Sequence, residues 1–139
     1  MKYLKILMII LAVGFTFSTY GQQGPAKEDN IVFLLRQSEH FAQAVKTVAS
    51  LKGKTVSSIN PSKVVIILCG EMVKQISSEE MIRQVEIACT QGITVYACGL
   101  SLNKFGINKN SLPSSVLYVE NGLIKSLELQ KEGYLSIEL

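Results

Sequence analysis

The feature that most restricts the fold of this chain is an alternation, from residue 31 onward, between apolar runs of strand length and segments of helical period. Ile31–Leu35 and Val64–Leu68 are apolar at consecutive positions, as strands are when helices cover both faces of a parallel sheet. Ile93–Ala97 and Val116–Val119 have the same character, and Tyr134–Leu139 alternates as an edge strand does. The pattern predicts an α/β fold with helices between successive parallel strands.

Two of the segments between strands have the period of a helix that buries one face. We expect Ser38 to cap the first helix and Gly53 to end it. Ser77 and Glu80 have the spacing of a capping box for the second, which Gly92 ends. The apolar residues that recur on one face are Phe41, Ala44, Val45, Val48 and Leu51 in the first helix, and Met81, Ile82, Val85, Ala88 and Cys89 in the second.

One segment, which begins at Asn121 and Gly122, fits two structures. Asn-Gly between two apolar runs is a strong signal for a hairpin turn. Leu123, Ile124 and Leu127, however, also fit a helix that would end near Gly133. The periodicity alone favours neither structure.

Residues 1–21 have the layout of a secretory signal peptide. Lys2 and Lys5 precede an apolar run over Ile6–Phe17, and cleavage after Gly21 would leave small residues at both specificity positions, Thr19 and Gly21. A retained membrane anchor is the alternative, but the run is shorter than the roughly 18 residues of a spanning helix. We therefore predict that the protein is exported, to the periplasm or out of the cell.

The predicted mature chain is one small domain of nearly neutral charge. A polar leader over 22–30 precedes the domain proper, 31–139, which is long enough for a single core. The signal peptide holds two of the 14 basic residues and none of the 11 acidic ones, which leaves a net charge of +1. This charge gives no electrostatic reason to expect nucleic acid, or a membrane after cleavage, as a partner.

Two of the predicted strands end in the same dipeptide, a cysteine followed by a glycine. These are Cys69-Gly70 and Cys98-Gly99. Sites in open α/β sheets form beyond the carboxyl ends of strands, and glycine lets the backbone turn sharply there. Cys69 and Cys98 are therefore the candidate functional residues, with Gly70 and Gly99 in support.

The residues after Cys98 favour a reactive thiol. Leu100–Phe105 is predicted to form a helical turn with Ser101 near its start. Backbone N–H groups at such a turn, with Lys104 nearby, would stabilise a thiolate and lower its pKa. Ser101 is thus a further supporting residue of the candidate site.

Each cysteine also has a simpler interpretation as a small apolar filler of the core. That interpretation is favoured for Cys89, on the inward face of a helix, and is left open for Cys69 and Cys98. The cysteine spacings match no zinc pattern, and His40, the one histidine, falls outside the buried stripe and is predicted at the surface. The sequence has no phosphate loop, dinucleotide fingerprint or nucleophile elbow, so we expect neither a metal nor a cofactor.

A set of motifs follows in order along the C-terminal half. They are Gly92-Ile-Thr-Val-Tyr-Ala-Cys98-Gly99-Leu-Ser-Leu, Phe105-Gly106-Ile107, Asn121-Gly122-Leu-Ile and Leu129-Gln130-Lys-Glu-Gly133-Tyr134. Over residues 63–138 the chain resembles the DsrE/DsrF-like family of sulfur-relay proteins. In that family a glycine–strand–cysteine motif leads into a small polar loop, and a Leu-Gln-x-x-Gly-Tyr motif closes the domain.

The resemblance implies a fold, an assembly and an activity. The fold is a three-layer α/β/α domain with a mostly parallel five-stranded sheet, in trimers or hexamers, and with a helix over Leu123–Lys131. The activity is sulfur relay, in which the cysteine that corresponds to Cys98 accepts sulfur as a persulfide from a donor and passes it to an acceptor or redox protein. Many members have a histidine where this chain has Cys69, which becomes a candidate resolving thiol or disulfide partner.

Two functions of different class follow from the sequence. One is a thiol-based sulfur carrier that uses Cys98. The other is a non-catalytic exported binding domain in which Cys69 and Cys98 are buried or disulfide-linked. Neighbouring strands lie about 4.8 Å apart, within the Cα separation of about 4.4–6.8 Å that a disulfide tolerates, so a bridge is feasible in an oxidising compartment if the two strands are neighbours.

Overall fold

The computed structural model describes residues 28–53 and 58–139, so the predicted signal peptide and most of the predicted leader lie outside the described residues. These residues form a five-stranded sheet of order β4-β3-β2-β1-β5. The strands are β1 Asp29–Leu35, β2 Pro61–Leu68, β3 Ile93–Cys98, β4 Val116–Val119 and β5 Leu135–Glu138. Every pairing is parallel, which confirms the predicted α/β class and makes the sheet parallel throughout.

Within the described residues four α-helices connect the strands: α1 Glu39–Lys52, α2 Glu79–Thr90, α3 Gly99–Lys104 and α4 Gly122–Lys131. Strands β1 to β4 are successive neighbours, and α4 then carries the chain back across the sheet to place β5 beside β1. Along the way α4 contacts β1, β2, β3 and β5. Among the described residues no helix has both the length and the apolar character needed to cross a membrane.

The two faces of the sheet bury different sets of side chains. The first face packs against α1 and α2 and holds the larger cluster, which includes Phe33, Phe41, Ile66, Val85 and Val95. The second face holds a smaller cluster under α4, made of Val32, Leu34, Val65, Ile67, Cys69, Cys98 and Leu129. Because side chains alternate along a strand, both predicted site cysteines fall on this second face.

The first strand begins two residues before the predicted start of the domain. Asp29 donates its backbone N–H to the carbonyl of Asn60 at 2.8 Å, and the Asn60 N–H donates to the Asp29 carboxylate at 2.9 Å. These two bonds extend the pairing with β2 into the residues predicted as leader.

Of the two predicted serine caps, the first has the predicted position but no capping bond, and the second is displaced by one residue. Ser38 has helical backbone angles, φ −66° and ψ −33°, and makes no capping bond, because a cap needs extended backbone. The cap of α2 is Ser78 rather than Ser77; it is extended, and its hydroxyl accepts the Met81 N–H at 3.2 Å. Glu80 therefore lies one position too early for a capping box and pairs with Arg83 instead.

The segment that begins at Asn121 is a helix, not a hairpin. The Asn121 side-chain oxygen accepts the N–H groups of Leu123 at 3.0 Å and Ile124 at 3.4 Å, as an N-cap does. The helix expected from the family resemblance is confirmed, and it begins one residue earlier, at Gly122.

Candidate functional site

The two Cys-Gly dipeptides lie side by side at the carboxyl edge of the sheet. Strands β2 and β3 are neighbours with Leu68 beside Ala97, so the next residue on each strand is a cysteine. Cys69 is 6% exposed and Cys98 is 3% exposed. Both thiols are free, and each shifts the pKa of the other. The strand-neighbour condition for a disulfide is thus met, although the structure has none here.

The surroundings of Cys98 stabilise its thiolate. Its Sγ accepts the backbone N–H of Gly122 at 3.2 Å, and it also accepts bonds from the backbone and hydroxyl of Ser101 and from the Cys69 thiol. Burial alone raises the pKa of Cys98, but these hydrogen bonds together outweigh it and hold the pKa below its ordinary value. Of the two thiols, Cys98 is therefore the one whose surroundings favour the thiolate.

Cys69 has the opposite character. Burial raises the pKa of its thiol from 9.0 to about 12, and the neighbouring Cys98 adds to that rise, while Arg36 opposes it. The Cys69 thiol therefore stays protonated and donates to Cys98. The two adjacent thiols thus have pKa values that are shifted in opposite directions.

Ser101 joins the two dipeptides. It is the third residue of α3, which fulfils the predicted helical turn, and its hydroxyl oxygen accepts the Gly70 N–H at 2.8 Å. The predicted contribution of Lys104 is not seen, because its ammonium group lies 5.3 Å from the centre of the Phe105 ring and does not act on Cys98.

The supporting glycines each meet a distinct requirement. Gly70 has a φ of +58°, a left-handed conformation that side chains rarely adopt. Gly99 is buried beneath the Tyr118 ring, where a Cβ would lie 2.5 Å from the phenolic oxygen. Neither position accepts a side chain without a local shift.

Sequence reasoning did not assign Gly122 to the site. A Cβ at this position would lie 2.7 Å from the Cys69 Sγ and 3.1 Å from the Cys98 Cβ. Only glycine lets the first turn of α4 rest directly on the two thiols and point its N–H at Cys98. The sequence did contain a signal for this role. The predicted strand Val116–Val119 ends at the same edge of the sheet as β2 and β3, and Asn121-Gly122 follows two residues later.

The thiols open to solvent through a small pocket of about 160 Å³. Its lining residues are Arg36, Cys69, Gly70, Cys98, Leu100, Ser101, Asn121 and Leu123. Four of the five predicted site residues belong to this set, and Gly99 lies behind them under Tyr118. Arg36, at the end of β1, is a second member that sequence reasoning missed.

The other candidates from the sequence lie away from this pocket. Cys89 is half-buried against the first-face core, and its thiol donates to the Ser115 carbonyl at 3.6 Å. His40 is half-buried on α1 rather than fully at the surface, with a buried Nδ1 that has no hydrogen-bond partner. Neither of these side chains reaches the thiols.

The chain matches no protein-family model and no curated protein. Its fold is similar to that of MTH1491 from Methanobacterium thermoautotrophicum, a protein of unknown function, with a TM-score of 0.68 and 19% identity over 81% of this chain and 100% of that one. BT1422 from Bacteroides thetaiotaomicron, a conserved protein of unknown function, has a TM-score of 0.60 and 18% identity over 80% of this chain and 95% of that one. These similarities establish the fold alone.

Proposed function

We propose that this protein is an exported member of the DsrE/DsrF-like family that carries sulfur as a persulfide on Cys98. The observation that carries the proposal is the set of hydrogen bonds on the Cys98 Sγ, which favours a thiolate at the floor of a solvent-connected pocket. Assembly as a homo-oligomer, a trimer or hexamer, belongs to the same proposal and is tested by sedimentation of the purified protein.

Sulfur loading requires only a thiolate and a sulfane donor. The Cys98 thiolate attacks the outer sulfur of a persulfide R–S–S⁻, a new S–S bond forms on Cys98, and the thiolate R–S⁻ leaves. The sulfane sulfur changes carrier with no net oxidation or reduction. Transfer to an acceptor thiolate is the same displacement, with Cys98 as the leaving group, and the hydrogen bonds from Gly122 and Ser101 stabilise the thiolate that is regenerated.

Cys69 supports both sulfur loading and sulfur transfer as a hydrogen-bond donor to Cys98. Its thiol, with a pKa raised to about 12 by burial, stays protonated and supports negative charge on Cys98. A slower branch is also balanced: Cys69 attacks the Cys98 sulfur of the persulfide, a Cys69–Cys98 disulfide forms, and HS⁻ leaves with the Cys69 proton. That branch returns to the starting state only through a dithiol reductant.

Intact mass measurement tests the proposal. The purified protein is treated with 2-hydroxyethyl persulfide, and we expect one added sulfur atom, removed by a thiol reductant. Cys98→Ser abolishes the addition, whereas Cys89→Ser, a matched cysteine outside the pocket, loads as the wild type does. No added sulfur on the wild type, or equal addition on Cys98→Ser, contradicts the proposal.

The near-complete burial of both thiols favours one alternative, a non-catalytic binding domain with Cys69 and Cys98 packed or bridged. Thiol titration of the native protein separates the two functions. A carrier has one thiol that reacts quickly, at Cys98. Slow labelling of all three cysteines, or a stable bridge that leaves one free thiol, supports the alternative.

A further inference from the structure

The inference concerns the chemical class of the sulfur donor, and it rests on the proposed function. Among the described residues that line the thiol pocket, one carries a formal charge when Cys98 is protonated, and it is the cation Arg36. The remaining lining groups are the two thiols, backbone, a hydroxyl, an amide and the apolar side chains of Leu100 and Leu123. No carboxylate belongs to this lining, although Glu138 pairs with Arg36 at the rim and its charge contributes to the raised pKa of Cys69.

The pocket admits a small molecule. Its volume of about 160 Å³ corresponds to roughly five water molecules at about 30 Å³ each. A donor that reaches Cys98 from solvent must therefore present its sulfane sulfur on a short stem. If each non-hydrogen atom takes about the volume of one water molecule, a compact anion of about five such atoms fits this space.

Arg36 is held at the rim by contacts on both its backbone and its side chain. Its N–H donates to the Leu139 carbonyl at 2.9 Å, and its carbonyl accepts the Met72 N–H at 3.0 Å. Its Nη2 pairs with Glu138 at 2.5 Å. A guanidinium group has five N–H donors in a planar fork, so the Glu138 contact leaves donors to bind a second oxyanion.

We infer that the donor is a small anion in which the sulfane sulfur is bonded to an oxyanion group, with thiosulfate as the simplest example, and that Arg36 binds the oxyanion end. The Cys98 thiolate attacks the outer sulfur of thiosulfate. The S–S bond of thiosulfate breaks, a new S–S bond forms on Cys98, and sulfite leaves with the electron pair. The reactants are the Cys98 thiolate and the thiosulfate dianion, and the products are the Cys98 persulfide anion and the sulfite dianion. Charge and electrons therefore balance without a further reactant.

In this reaction Arg36 determines specificity by stabilising the leaving group. Negative charge grows on the sulfonate oxygens as sulfite departs, and a guanidinium fork matches two such oxygens at once. The same residue has little effect on a donor whose leaving group carries no oxyanion. The difference between the two kinds of donor therefore shows whether Arg36 binds the donor or only supports the structure of the pocket.

The experiment compares two donors on three proteins by the rate of sulfur addition in intact mass. Thiosulfate and 2-hydroxyethyl persulfide are each reacted with the wild type, with Arg36→Ala and with Arg83→Ala, an exposed arginine that pairs with Glu80 away from the pocket. We expect Arg36→Ala to slow loading from thiosulfate about ten-fold or more, since hydrogen bonds to charged groups are worth at least that factor. Loading of Arg36→Ala from 2-hydroxyethyl persulfide should fall by a clearly smaller factor, and Arg83→Ala should match the wild type with both donors.

The outcomes separate the inference from the function beneath it. Loading from 2-hydroxyethyl persulfide but not from thiosulfate overturns the inference and leaves the carrier function standing. An equal loss with both donors in Arg36→Ala also overturns it, because Arg36 then acts through the structure of the pocket. Failure of both donors to load Cys98 in the wild type refutes the proposed function itself.

Discussion

Substitution of Gly122 by alanine tests whether the α4 backbone controls the reactivity of Cys98. The added Cβ would lie 2.7 Å from the Cys69 Sγ and 2.8 Å from Ile67 Cγ2, closer than real Cβ contacts come. The first turn of α4 must therefore move away, and the 3.2 Å bond from the Gly122 N–H to the Cys98 Sγ lengthens or breaks. Such overpacking costs about 1–3 kcal/mol of unfolding free energy.

The effect on Cys98 follows from the lost hydrogen bond. A hydrogen bond to a charged group is worth about 1.5–3 kcal/mol, and about 1.4 kcal/mol corresponds to ten-fold in an equilibrium. Below the pH at which Cys98 titrates, the thiolate fraction of Gly122→Ala should therefore fall about ten-fold or more. The pH profile of reactivity should move to higher pH, because loss of the Gly122 donor raises the pKa of Cys98.

The measurement is the rate of iodoacetamide alkylation at Cys98 as a function of pH, in a Cys89→Ser background and with the modified residue located by peptide mass. Gly53→Ala is the matched control, since its Cβ meets backbone oxygens at 3.4 and 3.6 Å and lies far from the thiols in the fold. If folded Gly122→Ala has the alkylation profile of the control, the Gly122 N–H does not activate Cys98 and the reasoning is refuted.

Substitutions at three further positions test the groups around the thiols. Ser101→Ala removes the acceptor of the Gly70 N–H, so urea unfolding should show a loss of about 1–3 kcal/mol together with slower Cys98 alkylation; unchanged alkylation would remove Ser101 from the site. Asn121→Ala deletes the α4 cap and should cost about 1 kcal/mol in the same assay, whereas Asn121→Asp should keep most of that stability, and equal losses would contradict the cap. Burial raises the pKa of Cys69 from 9.0 to about 12, so the unfolded chain ionises first and stability is lost as pH rises from about 9 toward 12. Cys69→Ser should lack its share of that slope, up to about 1.4 kcal/mol per pH unit, and identical slopes in the two proteins would show that Cys69 is not buried as a thiol.

Much of the site could be predicted because the strands are continuous apolar runs. Val64–Leu68 is buried on both faces, and Ile93–Ala97 is buried on one face and half-buried on the other. This pattern identifies parallel strands and places the residue after each at the carboxyl edge. Since side chains alternate, the equal lengths of the two runs also put Cys69 and Cys98 on the same face. The helical turn with Ser101 followed from the residues next to Cys98.

The parts that could not be predicted depend on contacts between distant segments. The role of Gly122 requires that α4 cross the second face and start above β2 and β3, which no local pattern specifies. Arg36 reaches the pocket because β1 pairs with β2 in a register that places Leu35 beside Leu68. The serine caps failed for a similar reason, because preceding turns decide which serine is extended.

The buried thiolate gives the site a direct dependence on the complete fold. A charge on a residue with 3% exposure is costly unless hydrogen-bond donors surround it. Here the donors follow β2, β3 and β4 in the chain, so they meet only after the connections from β2 to β3 and from β3 to β4 have formed. Because the pKa of Cys98 is lower in the folded state than in the unfolded chain, its thiolate adds stability above the unfolded pKa. That stability is lost as pH falls through the folded pKa. In the proposed carrier, sulfur loading would move the charge from Sγ to the outer sulfur in the pocket. The donors that activate Cys98 would then hold the loaded state less strongly and favour release of the sulfur to an acceptor.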